Sequence, residues 1–185
     1  ALLTKKKRDY AEARPLEVLR QSLDYVPPRC SHFHNCGGCS LQDYQYEKQL
    51  AAKQQQIAEV LTHLGGIAQP PVAAVLGSPQ QFFYRNKMEF SFSENRAGTR
   101  FLGLMIAQAE PYVFNVDHCH LASPWVSSAL NAVRTWWAAA QLPAYQGRDN
   151  TGLLRYLPLR EGLRTGQKMA ILTTNGPVAR SPRDT

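Results

Sequence analysis

The chain has 185 residues, 44% of them hydrophobic, with 21 Lys and Arg against 14 Asp and Glu, a formal charge of +7. That size and apolar content fit one or two globular domains and exclude wholesale disorder. No apolar run approaches the roughly 18 residues that span a bilayer, and four cysteines are too few for a disulfide framework at this length.

Residues 1–25 are polar and mixed in charge, and the Lys-Lys-Lys-Arg run at 5–8 reads as a solvated edge. No apolar stretch follows that run to make a secretory signal, so the expected compartment is cytoplasmic. The stretch reads as the tail of a longer unit. Residues 26–40 form a loop, with Pro27-Pro28, Cys30, Cys36, Gly37-Gly38 and Cys39, because prolines and glycines oppose regular structure and allow tight turns. A helix is predicted over 43–64. Tyr46, Leu50, Ile57, Val60, Leu61 and Leu64 recur at helical spacing, Lys48, Lys53, Gln54, Gln55 and Gln56 make the polar side, and Gly65-Gly66 supplies a stop. Pro70-Pro71 marks a boundary.

From Phe82 the period becomes two. Tyr84, Met88, Phe90 and Phe92 fall on one face, and Phe83, Arg85, Lys87, Glu89 and Ser91 on the other. Short strands are predicted at 101–106 and 112–116. Ser123-Pro124 has the form of an N-cap and first-turn pair, opening a helix with Trp125, Val126, Ala129, Leu130, Val133, Trp136 and Trp137 on its apolar side. Residues 153–159 and 168–174 read as two strands around a turn with Gly162 and Gly166. The region is therefore β-β-β-α-β-β, an α+β fold with a mostly antiparallel sheet, flanking helices and a cysteine-rich loop. Residues 177–185 are expected to be a disordered tail.

Cys30, Cys36 and Cys39 form C-x5-C-x2-C, and Cys119 stands far downstream in Asp117-His118-Cys119-His120. Three thiols in a short Gly-rich loop, completed by a fourth from the fold, suit four-thiolate coordination of a metal or cluster. Gly37 and Gly38 let backbone amides approach the sulfurs. Structural zinc more often uses two short knuckles, so the stretched spacing and solitary fourth ligand lean toward a [4Fe–4S] cluster. His32, His34, His118 and His120 leave a zinc site open.

The run from Pro28 through Tyr46, followed by Gln49-Leu50 and Lys53, resembles the iron–sulfur signature of the RNA (uracil-C5)-methyltransferase family (TrmA/RumA type). The run Tyr84-Arg85-Asn86-Lys87-Met88-Glu89-Phe90 is similar to that family's basic strand, and Leu102-Gly103 to the next strand. Cys119 resembles its fourth ligand, and Leu154-Arg155 through Arg160, with Met169, its closing hairpin. The resemblance covers about residues 8–175. It implies a parent enzyme that moves a methyl group from S-adenosylmethionine to C5 of a uridine, with ribosomal RNA placed ahead of transfer RNA, and a [4Fe–4S] cluster on Cys30, Cys36, Cys39 and Cys119. In such chemistry a cysteine thiolate adds to C6 of the uracil, and the resulting enolate attacks the methyl sulfonium. A base then removes the C5 proton.

Nothing in the chain resembles the family's Gly-rich cofactor loop, and its four cysteines are all assigned to the cluster. The expectation is therefore a segment without the Rossmann-like catalytic domain, monomeric, and with no catalytic or cofactor-binding residue of its own. Within it, residues 1–25 would be the end of a TRAM-like region, and 26–41 with 74–176 the central iron–sulfur RNA-binding domain. Residues 42–73 would hold a helix that in the family packs on the catalytic domain. Phe83, Arg85, Lys87, Arg155 and Arg160 are the candidate RNA contacts, through phosphate pairing and base stacking, with Arg155, Arg160 and also Arg164 the weaker ones. Two other classes compete: a stand-alone zinc-bearing RNA-binding module and an electron-transfer protein of ferredoxin type, the latter disfavoured by the basic charge and single cluster motif.

Overall fold

The computed structural model describes residues 1–107, 109 and 111–177. The tail expected at 177–185 therefore lies, apart from Pro177, outside the described residues. The chain divides into two compact units, Ala1–Pro27 with Asp43–Val75, and Pro28–Gln42 with Leu76 onward.

In the first unit, strands β1 (Leu2–Lys6) and β2 (Ala11–Arg14) form an antiparallel hairpin whose residues are all exposed. Helix α1 (Tyr46–His63) follows. Its N-terminus is tied to the preceding segment by a Tyr25–Tyr44 bridge, by the Gln45 amide donating to the Asp24 carbonyl (2.9 Å), and by a Lys48–Asp24 ion pair (3.5 Å). Gly65 and Gly66 end the helix as expected, the Gly65 amide donating to the Val60 carbonyl. None of its residues is buried: Ile57 and Val60, on the predicted apolar side, remain 52% and 45% exposed.

The second unit carries six strands: β3 (Lys87–Glu94), β4 (Arg100–Met105), β5 (Val113–Asn115), β6 (Leu154–Glu161), β7 (Lys168–Ala170) and β8 (Thr173–Thr174). They run antiparallel in the order β5-β4-β3-β6-β7, with β8 also on β6. β3 alternates as its sequence demands. Met88, Phe90 and Phe92 are buried, while Lys87 and Glu89 are exposed. The buried row packs with Leu102, Leu157 and Leu159 under helix α2 (Trp125–Ala140), which contributes Val126, Leu130 and Trp137. Phe92 meets Trp137 edge-on at 5.0 Å. Gly103 is required where β4 crosses β5, because a Cβ there would run into the Phe114 carbonyl oxygen.

Four local expectations are corrected. Tyr84 does not join the buried row and is 50% exposed. The strand starts only at Lys87, and Phe83 adopts a left-handed conformation (φ 57°) that breaks the alternation. Ser123 does not cap α2, since its hydroxyl donates to the Glu161 carboxylate instead. Trp136 is 41% exposed rather than core, one residue and about 100° around the helix from buried Trp137. The strand expected over 168–174 is interrupted at residues 171–172. The Ile171 amide donates to the Pro158 carbonyl, but proline has no N–H to return the bond.

Candidate metal centre and nucleic-acid face

The cysteine loop turns on short-range hydrogen bonds. The Phe33 amide donates to the Cys30 carbonyl and the Cys36 amide to the His32 carbonyl (2.8 Å), with His34 in a left-handed conformation (φ 71°). The loop is then bonded to the end of β4: Cys36 bridges Ile106, the Gly37 amide donates to the Met105 carbonyl, and the Ala107 amide to the Asn35 carbonyl. Cys119 arrives from the segment between β5 and α2. That segment runs parallel to residues 83–85, the Phe83 amide donating to the His120 carbonyl and the Arg85 amide to the Leu121 carbonyl, both at 2.8 Å.

All four cysteines are free, half-buried and line one cavity of about 720 Å³. The Gly38 amide donates to Cys36 Sγ at 3.3 Å, and a Cβ on Gly38 would sit 3.3 Å from that same sulfur, so glycine clears the approach. Burial pushes the Cys36 thiol above its ordinary value, and the sulfurs of Cys39, Cys119 and Cys30 push the same way. Cys119 is raised by burial too, opposed by the Leu121 and Ala122 amides. Cys36 and Cys119, whose ionisation burial and the neighbouring sulfurs oppose and at which backbone amides are aimed, belong to a donor set that a cationic centre would relieve. The residues present thus fit a thiolate-bound metal centre.

A narrower group overlaps it. Cys30, His32 and His118 place one donor atom each within 4.8 Å of one another. Cys30 Sγ lies 3.8 Å from His32 Nδ1, and His32 Nε2 lies 3.7 Å from an Asp117 carboxylate oxygen. Of the other two histidines, His34 is exposed and the His120 ring packs against Phe82 and Phe83. Burial and the Arg29 guanidinium hold His120 below the usual imidazole range.

The five candidate RNA contacts divide. Lys87 and Arg160 stand directly opposite one another on β3 and β6, and both are exposed. Arg85 is exposed and lines the cysteine cavity with Lys87. Phe83 is 36% exposed, its ring against His120 and Arg29. Arg155 is not part of this group: it is half-buried, with its guanidinium 4.3 Å from the centre of the Tyr145 ring. Arg164 lies exposed in the turn between β6 and β7.

Sequence reading missed Arg29, whose guanidinium lies 5.0 and 5.1 Å from the Phe82 and Phe83 ring centres. The available signal was adjacency. Arg29 immediately precedes Cys30, and His120 immediately follows Cys119, and both lie against the same aromatic pair.

Comparison with known proteins places this fold among others of its kind. The chain is homologous to RNA methyltransferases. It is 37% identical over 176 residues to an uncharacterized RNA methyltransferase of Protochlamydia amoebophila, covering 95% of this chain and 39% of that protein. It is 35% identical over 189 residues to one of Chlorobaculum tepidum, with the same coverage. No protein-family profile matches. Among solved structures, the Pyrococcus abyssi tRNA (uracil-54, C5)-methyltransferase, in complex with S-adenosyl-L-homocysteine, aligns with a TM-score of 0.72. That likeness covers 97% of this chain and 39% of that one, and at 20% identity it establishes the shared fold. The chain thus spans 39% of the length of these relatives.

Proposed function

We propose that this chain is the RNA-gripping, cluster-bearing part of an S-adenosylmethionine-dependent RNA (uracil-C5)-methyltransferase. The observation that carries the reading is a convergence: four thiols share one cavity with Arg85, Lys87 and His120, and the residues flanking two of those thiols, Arg29 and His120, meet on Phe82 and Phe83. Phosphates would pair with Arg85, Lys87 and Arg160, and an unstacked base would lie on the Phe83 ring. Arg155, braced on Tyr145, is a secondary contact. The homologues' name and the fold neighbour's reaction support methyl transfer to a uridine in RNA. Ribosomal RNA is the proposed substrate, and a transfer RNA panel run beside it decides between them. Residues 1–25 belong to a TRAM-like region in this reading, 26–41 and 74–176 to the central RNA-binding domain, and 42–73 to a helix that meets the catalytic part. S-adenosylmethionine binding and the attack on C6 are assigned to that catalytic part, so this chain by itself binds RNA without methylating it.

A [4Fe–4S] cluster on Cys30, Cys36, Cys39 and Cys119 fits better than a single ion. Among the described residues the donor group that closes to within 4.8 Å is Cys30, His32 and His118, not three of the four sulfurs. A zinc ion with bonds of about 2.3 Å would gather its sulfurs to an edge of about 3.8 Å, whereas a multi-iron cluster takes sulfurs set further apart. Bound there, the cluster would staple the loop and the Cys119 segment; methyl transfer from a sulfonium needs no electron from it. Anaerobic purification should give a brown protein with about four irons per chain and broad absorbance near ~400 nm. A colourless protein with one zinc would sink the assignment.

That second outcome is the one the Cys30, His32 and His118 group favours. It would leave a zinc-bearing RNA-binding module, with Asp117 orienting His32 as carboxylates commonly orient metal-bound histidines.

A further inference from the structure

The hairpin between β6 and β7 turns through residues 162–167, where the Gly162 amide donates to the Gln167 carbonyl at 2.8 Å. Beside it, at the end of the sheet, opens a cleft of about 770 Å³, separate from the cysteine cavity and within the size range of small-ligand sites. Lys87, Arg160 and Lys168 line it, and all three are exposed. Among the described residues none of the three is in an ion pair, and the Lys168 ammonium stands 5.8 Å from the centre of the Trp125 ring, where its charge also favours the ionised Glu161 carboxylate. The one carboxylate in the lining, Glu161, accepts the Ser123 hydroxyl and the Trp125 indole N–H (2.9 Å), so it is engaged on the α2 side. The remaining wall is neutral: Gly162, the Thr165 hydroxyl, two amides and a thioether. Asn86 and Gln167 offer exposed side-chain amides, and Met169, 47% exposed and opposite Arg160 in register, offers an apolar thioether.

Three cations alone would describe an anion patch. Amides change the chemistry, because each both donates and accepts and so matches the edge of a base, as phosphate does not require. A thioether adds a polarizable surface for the face of a ring. We propose that this cleft is a subsite for one unpaired nucleotide of the RNA, distinct from the Phe82–Phe83 platform. Its phosphate is held by Lys87, Arg160 and Lys168, its base edge is read by Asn86 and Gln167, and its face lies against Met169. The proposal rests on the RNA-contact reading above and adds a sequence-reading position to it.

The test uses the full chain with its metal centre intact and fluorescein-labelled single-stranded RNA 12-mers that differ at one base. Binding is followed by anisotropy at several salt concentrations. Lys168→Ala should weaken every 12-mer about 3- to 10-fold and lower the log–log salt slope by about 0.7, one phosphate contact on a single strand. Gln167→Ala should leave the slope unchanged and erase a base preference of about tenfold at one position. Uridine and adenosine monophosphates at millimolar concentration should compete, and inorganic phosphate at the same concentration should not.

If both variants bind all 12-mers like the parent while Phe83→Ala is impaired, the RNA face stands and the cleft proposal is overturned. Equal competition by inorganic phosphate and the nucleotides reduces the cleft to an anion patch and also overturns it. If the parent chain binds no RNA, the RNA-contact reading itself fails and takes this inference with it.

Discussion

The two faces of β3 are built from the same eight residues and are held by different physics. On one, Met88, Phe90 and Phe92 interlock with Leu157, Leu159 and Trp137, and the arrangement rests mainly on apolar packing and shape, with the Trp137 indole N–H donating to the Leu142 carbonyl. On the other, Lys87 and Glu89 face outward, toward a cysteine loop with only Phe33 buried among residues 30–40. That side is positioned by backbone hydrogen bonds and, in the proposed reading, by a bound centre. One face therefore sets whether the chain folds, and the other sets what the fold holds.

The sharpest way to break this comparison is at the apolar face. Phe90→Ala should cost about 3–5 kcal/mol in denaturant-induced unfolding, whether or not a metal is bound; a cost under about 1 kcal/mol would show that the core lies elsewhere. Cys36→Ser comes next. It should abolish the ~400 nm absorbance, cut RNA affinity and raise hydrogen exchange in residues 28–40 and 117–122. Exchange in β3, β6 and α2 should stay slow. If the variant bound RNA normally with the loop still protected, the centre would have no structural role. Phe83→Ala should cost about 1–3 kcal/mol of RNA binding with no loss of folding stability, read by anisotropy and thermal melting side by side. Lys87→Ala should weaken RNA evenly across sequences and reduce the salt slope by about 0.7. Smallest of all, Trp136→Ala should change stability by no more than about 0.5 kcal/mol, in contrast to its buried neighbour Trp137.

Much of the apolar face was legible. The period-two run from Met88, the stop at Gly65-Gly66 and the mostly antiparallel β-β-β-α-β-β order follow from spacing and turn residues, which act locally. What escaped depended on partners distant in sequence. Ser123 had the form of a cap, but Glu161, 38 residues on, takes its hydroxyl. The split of the edge strand was written in Pro158, which matters only once Ile171 is known to lie opposite. The cysteine spacing grouped four thiols that line one cavity. Only adjacency to Cys30 marked Arg29, because a cation over a ring leaves no periodic trace.

Phe83 carries a further consequence. An aromatic residue at φ 57° sits where glycine or asparagine would rest without penalty, at a cost of about 1–3 kcal/mol. Natural drift should therefore tend to erode this position, since glycine there relieves the backbone strain while deleting the ring. A lineage that keeps an aromatic residue at this site is under continuing purifying pressure for contact with a ligand. One that has lost the contact should show glycine or asparagine here before any buried residue of β3 has changed.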